Sequence, residues 1–274
     1  KNAKRVGGDG ADFYTSESLK NKVFSKLIKC AAKNFVEKHF NKSGLSENDF
    51  TCVELGAEGE HRLFEGGKSF GIEDELELSG NIILASNELL DARQFSRFEF
   101  LDGDWEKICL QFPEEDIEVD GVLLAPKNVK EIHTPASPYE RKLLNERFEA
   151  AKIENFKVEM SIDAETFFKK ICDLPWRGVL IFADYFRTNV ELCRIPSGTA
   201  RAYHKHKYLE NTLCNATLAD ITFSPPSDVF EKIAAASGLT QISTLTQESF
   251  FMRHSLECIS EIIESNSDNM NPSR

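Results

Sequence analysis

Between Thr15 and Phe40 apolar residues recur at Leu19, Val23, Leu27, Ala31 and Phe35, an i, i+4 ladder that predicts a helix packing one face on a core. Polar Asn41–Asn48, which holds Gly44, predicts a turn. The apolar run Thr51–Leu55 then predicts a buried strand that ends in Gly56. Asn81–Ala85, reading NIILA, predicts a second buried strand, followed by Asn87, Glu88 and Asp91. Phe98–Leu110 alternates around Asp102, Gly103 and Asp104, the pattern of a hairpin. Ser137, Pro138 and Glu140 form a capping box with proline in the first turn, opening a helix through Leu143, Leu144 and Phe148.

The second half continues in the same alternation. Ala164–Asp173 predicts a helix, and Gly178–Ala183 a third buried strand that ends at Asp184. Asp228–Ser237 predicts a helix with Gly238 as its cap, Leu239–Leu245 a strand, and Gln247–Glu264 one further helix. Strands alternating with helices favour an α/β sheet with parallel members, in which ligands bind beyond the carboxyl ends of the strands. That rule selects the residues after Leu55, after Ala85 and after Ala183.

Composition narrows the classes. The chain has 274 residues, 41% hydrophobic and 28% charged, which fits a globular protein and excludes a disordered or collagen-like one. Its formal net charge of -12 repels nucleic acid and anionic membranes at long range, and no apolar run reaches the ~20 residues of a membrane span. Neither nucleic acid nor membrane is expected as a partner. One stretch runs against the balance: Phe186–Tyr208 carries Arg187, Arg194, Arg201, Lys205 and Lys207 against Glu191 alone, a solvated loop or a surface that steers an acidic partner. The opening residues lack an initiator Met and the apolar core of a signal peptide, so the start reads as a trimmed or incomplete end. Seven scattered cysteines without CxxC spacing fit reduced thiols in a cytoplasm. His204 and His206 suggest a metal, but no third and fourth ligand accompanies them, so none is expected.

At the first strand end, ELGAEGE (Glu54–Glu60) offers a glycine turn that lets backbone approach a ligand, though an ordinary turn uses glycines in the same way. At the second, ILASNELLDA (Ile83–Ala92) sets an amide and two carboxylates where they can orient a cationic group; acids stabilising a helix start have the same pattern. FADY (Phe182–Tyr185) is the third.

Taken together and in order, these stretches resemble the MidA family of S-adenosylmethionine-dependent methyltransferases. GDGADFYTSES (Gly8–Ser18) is similar to the family's N-terminal GDF-T segment, ELGAEGE to its ELGxGxG loop, ILASNELLDA to its aNElfDA and FADY to its DYG strand end. SGTARAYHKHK (Ser197–Lys207), ADIT (Ala219–Thr222) and SGLTQISTLTQESF (Ser237–Phe250) follow its GTL-aY--H, DiT and G-----tQ--F stretches. The resemblance implies a Rossmann-like class I methyltransferase fold, S-adenosyl-L-methionine as cofactor, and methyl transfer to a protein, plausibly at arginine. It implies Glu88, Asp91 and Asp184 as catalytic carboxylates, and Tyr14, Thr15, Glu54, Gly56, Gly59 and Asn87 as cofactor-binding residues.

The sequence departs from that pattern in three places. Glu58 stands where the family has its second loop glycine, Arg93 and Gln94 stand where a proline usually follows, and residues 60–81 are too few for the two helices and two strands that usually intervene. The expectation is therefore a shortened cofactor half without a clear ribose-holding acid, Glu65 and Glu73 being the nearest candidates. The expected division is a helical segment at 1–50, an α/β core at 51–190 and a substrate-side extension at 191–274. The competing reading is a catalytically inactive, methyltransferase-like binding or assembly factor.

Overall fold

The computed structural model describes residues 22–57, 62–72, 74–111, 118–119, 122–123, 129–204, 207–209, 212 and 219–269. In chain order the elements begin with α1 (Lys22–Phe40), β1 (Thr51–Leu55), β2 (Lys68–Phe70), β3 (Gly80–Asn87), β4 (Ser96–Leu101), β5 (Asp104–Gln111), β6 (Glu118–Val119), β7 (Val122–Leu123) and β8 (Lys130–Pro135). They continue with α2 (Pro138–Arg147), β9 (Phe156–Met160), α3 (Ile162–Asp173), β10 (Trp176–Ala183), α4 (Asn189–Leu192), β11 (Arg201–His204), β12 (Lys207–Leu209) and β13 (Asp220–Thr222). Three helices close the series: α5 (Ser227–Ala236), α6 (Gln247–His254) and α7 (Leu256–Asn269). The chain divides into two compact units that interleave along the sequence. Unit 1 comprises Lys1–Leu89, Asp173–Ala183 and Thr240–Arg274, and unit 2 comprises Leu90–Cys172 and Asp184–Leu239. The reason is pairing: β10, far along the chain, completes the sheet begun by β1 and β3.

Unit 1 is a parallel sheet in the order β10-β3-β1-β2. The ladder of α1 does what its spacing predicts: Phe24, Leu27, Ile28, Ala31 and Phe35 are buried against Ile83, Ala85, Val179 and Ile181 of the sheet. Residues 15–21 of the expected helix lie outside the described residues. From the other end of the chain, Phe251 of α6 meets Phe24 edge to face at 5.7 Å, and the Asn34 amide donates to the His254 carbonyl at 2.8 Å. The single helix expected over Gln247–Glu264 is broken at Ser255, whose buried hydroxyl donates to the Leu27 carbonyl at 2.7 Å, a tertiary contact that periodicity does not report. Leu239–Leu245 forms no strand, because no neighbouring strand pairs with it.

The parallel strand that the short spacing seemed to exclude is present. β2 pairs with β1 from Val53↔Lys68 to Leu55↔Phe70. Its connection, residues 56–67, is about the shortest that joins parallel neighbours, and among its described residues it contains no helix. Gly67 makes this turn possible: a Cβ there would lie 2.9 Å from both the Cys52 carbonyl oxygen and the Phe64 Cβ.

Unit 2 is antiparallel. Its larger sheet, β8-β5-β4-β9, contains the expected hairpin, with Asp102 (φ 51°) and Gly103 (φ 84°) in its turn. One face packs Phe98, Trp105, Phe156, Val158 and Met160 on Leu144 and Phe148, and the capping box at Ser137 starts α2 as expected. The other face is a charge ladder in which Arg97 meets Glu131 at 2.6 Å and His133 meets Glu99 at 2.8 Å. A second sheet, β12-β11-β13, and helix α5 complete the unit; Phe230 of α5 meets Phe168 edge to face at 5.2 Å.

The pairing of β3 with β10 depends on Gly178. Its φ is 145°, and a Cβ there would overlap the carbonyl oxygen of Ile82 in the neighbouring strand. Gly178→Ala is expected to lower stability by more than about 3 kcal/mol, the range of strained and overpacked core sites. Gly238→Ala, at φ 83° with open space around it, should cost about 1 kcal/mol. Thermal and urea denaturation of the two variants would check the order.

Candidate active site at the sheet edge

The strand order places a topological reversal in unit 1. From β1 the chain goes to β2 on one side and then to β3 on the other, so the crevice rule selects the carboxyl ends of β1 and β3. The register keeps these ends level: Leu55 pairs with Ser86, and Asn87 pairs with Ala183. Gly56 and Glu88, the residues after two of these strands, therefore lie along one edge.

Gly56 has φ 77°, and its N–H donates to the Phe70 carbonyl at 2.9 Å, where Ala57 also donates at 3.1 Å. The turn is thereby fixed to the end of β2. A Cβ on Gly56 would stand 3.1 Å from Leu89 Cδ1. Glu54 points toward the α1 side and is buried. Its Oε2 accepts the Leu63 N–H at 2.8 Å, closing the loop after β1. Burial pushes the Glu54 carboxyl above its usual range, opposed by that N–H and by Arg62. Tyr14, Thr15, Glu58, Gly59 and His61 lie outside the described residues. Phe64 is buried in the core beneath α1.

At the end of β3, Asn87 is half-buried and its Nδ2 is shielded from solvent without a hydrogen-bond partner among the described residues. A buried donor left in this way costs free energy unless something accepts from it. Glu88, next along, is half-buried with φ 50°, a left-handed conformation unusual for a side chain with a Cβ, and its N–H donates to the Ala183 carbonyl at 2.8 Å. At the end of β2, Gly71 is followed by Asp74, whose Oδ2 accepts the Gly71 N–H at 2.6 Å. An acid at the end of the second strand, about 20 residues beyond the glycine turn, is the position from which a ribose is held in open α/β sheets. Asp74 is not among the acids that the sequence pattern offers for that place, because three residues, Lys68–Phe70, do not announce a strand. Of the two acids it named, Glu65 is exposed in the turn before β2 and Glu73 lies outside the described residues.

The other two acids, Asp184 and Asp91, lie in unit 2. Asp184 accepts the Leu90 N–H at 2.9 Å through Oδ2 and the Tyr185 N–H at 2.8 Å through Oδ1. Asp91 is buried, and its carbonyl accepts the Phe223 N–H at 3.3 Å. Ser224 N–H donates to Thr199 Oγ1 at 3.0 Å, and Thr199 donates to the buried Glu159 carboxylate from both its N–H, at 2.6 Å, and its hydroxyl, at 2.9 Å. Four stretches distant in sequence, around residues 90, 184, 199 and 223, are thus tied together. Among the described residues, no group of three or more His, Cys, Asp and Glu side chains is placed to hold a metal ion, and no helix is long and apolar enough to cross a membrane.

Residues 62–243 match the family described as "Putative S-adenosyl-L-methionine-dependent methyltransferase". No curated protein matches the chain. Among solved structures, a COG1565 superfamily member from Burkholderia thailandensis, bound to S-adenosyl-homocysteine, superposes with a TM-score of 0.66 at 16% identity over 86% of this chain. An uncharacterised member of the same superfamily and organism, in its native form, gives a TM-score of 0.62 at 14% identity over 83% of this chain. The chain spans 66% of the length of each. The likeness establishes the Rossmann-like methyltransferase fold, and the matched region, well over half of the chain, establishes kinship: this protein belongs to the S-adenosyl-L-methionine-dependent methyltransferase family so described.

Proposed function

We propose that the chain is a protein methyltransferase of the MidA group that uses S-adenosyl-L-methionine and takes arginine as its acceptor. The observation that carries the reading is the Asn87 Nδ2, shielded from solvent and without an acceptor among the described residues, at the reversal of the parallel sheet and on the same edge as the Gly56 turn. The residues fit the cofactor's chemistry. Gly56 leaves room for close backbone approach, Asn87 supplies a donor for an oxygen or ring nitrogen, and Asp74 supplies an acceptor for ribose hydroxyls. Glu54 acts one step back, by holding the loop through Leu63.

When bound, S-adenosyl-L-methionine supplies a methyl group on a sulfonium sulfur, which keeps the electron pair as the C–S bond breaks. An arginine acceptor stays protonated at neutral pH. A carboxylate must therefore orient its guanidinium and take the proton released as the new N–C bond forms. Glu88 is assigned that part, being half-buried at the end of β3 and held there by the pairing of its own N–H. Asp91, three residues on in the sequence and buried, is the second carboxylate that the resemblance implies. Asp184, with both oxygens accepting backbone N–H groups, positions the segment that begins at Leu90. Reduced thiols and the order of the resembling stretches support an intracellular protein substrate.

Asn87→Leu should leave the melting temperature unchanged or higher, since its Nδ2 makes no hydrogen bond among the described residues, while weakening S-adenosylhomocysteine binding about 10-fold in isothermal titration. Failure of the intact protein to bind that ligand at millimolar concentration would remove the reading and favour the inactive binding factor.

Glu54→Gln keeps an acceptor for Leu63 and removes a buried charge, so stability at pH 7 should hold or rise, whereas Glu54→Ala should lose about 1–3 kcal/mol. The raised pKa means that the folded state binds this proton more tightly than the unfolded one. Stability is therefore gained as pH falls through the raised value and lost as pH rises through it, a dependence absent from Glu54→Gln. Denaturation across pH 4–8 would read it.

Glu88→Gln should reduce methyl transfer to a protein acceptor by on the order of 10²-fold with S-adenosylhomocysteine affinity intact. A radiolabelled transfer assay beside isothermal titration checks the split; equal loss of both would assign Glu88 to the fold.

A further inference from the structure

Unit 2 contains two arginines that each stack on an aromatic ring, and among the described residues only one of them meets a carboxylate. The guanidinium of Arg93 lies 4.5 Å above the ring of Phe167, and its Nε and Nη2 donate side-on to Asp163, at 2.8 Å to Oδ2 and 3.0 Å to Oδ1. The ring fixes the guanidinium plane, and the fork of Nε and Nη2 matches the two oxygens of a carboxylate. Arg201, the first residue of β11, lies with its guanidinium 4.8 Å over the ring of Tyr185. Its Nε and Nη2, the same edge, are shielded from solvent and meet no hydrogen-bond acceptor among the described residues.

A desolvated cation edge without an acceptor is costly, and sequence neighbours do not relieve it. Glu191, the acid of the surrounding basic stretch, is held by Thr188, whose N–H donates to Oε2 at 2.7 Å and whose hydroxyl donates to it at 2.9 Å. Asp220 stands opposite Tyr203 in the strand pair, while Arg201 itself stands opposite Thr222. No ion pair joins Arg201 to a described acid. Tyr185 is 48% exposed and Arg201 half-buried, so the ring side of the stacked pair reaches the surface while the Nε and Nη2 edge lies beneath it, and Tyr185 directly follows Asp184 in the chain.

We propose that Arg201, backed by Tyr185, is a carboxylate-binding site that takes an acidic side chain of the protein substrate. The identity of that ligand rests on the methyltransferase reading; the site itself does not. A flat carboxylate is preferred to a phosphate because the occupied twin at Arg93 holds one in the geometry that Arg201 presents.

The test uses the full chain, labelled with nitrogen-15, and N-acetyl-glutamate amide as the probe, with N-acetyl-glutamine amide and inorganic phosphate as controls. The Arg201 Nε–H resonance, identified by its loss in Arg201→Lys, should shift saturably with the glutamate probe and not with the glutamine one. Arg201→Gln should weaken that binding at least about 10-fold, keep or raise the melting temperature, and leave S-adenosylhomocysteine binding unchanged. A resonance indifferent to the glutamate probe, a response to phosphate alone, or a drop in melting temperature that Asp220→Asn reproduces non-additively would overturn the proposal, the last by revealing an internal pair. Glutamate binding without S-adenosylhomocysteine binding would uphold the site while refuting the methyltransferase reading, and the reverse result would separate them the other way.

Discussion

The register of β3 is the constraint on which the sheet edge depends. This strand pairs on both sides, with β1 from Thr51↔Ile82 to Leu55↔Ser86 and with β10 from Trp176↔Gly80 to Ala183↔Asn87. Side chains alternate with period two, so a slip of one residue would turn Ile83 and Ala85 away from α1 and carry Asn87 off its place. Gly178 fixes the register from one side, since only a residue without Cβ fits against the Ile82 carbonyl. Ser86 fixes it from the other by donating to the Leu55 carbonyl at 3.1 Å. Two strand ends thereby become a level platform, with a glycine turn on one and an amide and carboxylate on the other.

Unit 2 is organised by polar groups that hold backbone. Asp184 on Leu90, Thr199 on Glu159 and Ser224 on Thr199 each satisfy a donor that secondary structure leaves unpaired. Glu159 is buried on the charged face of its sheet, and Gly198 leaves space for its carboxylate, because a Cβ there would overlap Oε1. Asp184 holds the Leu90 N–H with one oxygen and the Tyr185 N–H with the other, and so ties the segment after β3 to the segment after β10.

Strongly periodic or doubly buried elements were legible from residues alone. The α1 ladder, the β1 and β3 runs, the hairpin around Asp102 and Gly103, and the capping box at Ser137 all follow from local physics. What escaped needs a partner to exist. β2 has little apolar content and is a strand only because β1 offers it hydrogen bonds. β8 reads KEIHTP, and its Glu131 and His133 are stabilised by Arg97 and Glu99 on another strand. Ser255 breaks a helix for the sake of a carbonyl 228 residues away. At the site, the positions of Gly56, Asn87 and Glu88 were readable as strand ends. The attachment of Glu54 to Leu63 and the stacking of Arg201 on Tyr185 were not, because both are facts about space rather than spacing.

The interleaving of the two units bears on how the chain is made. Unit 2 has all of its residues once Leu239 has been synthesised, but α1 of unit 1 waits for α6 to supply Phe251 and His254. The part of the apolar face of α1 that α6 covers therefore stays open while an entire unit is synthesised in between. Such long-range closure is slow and exposes hydrophobic surface while it waits.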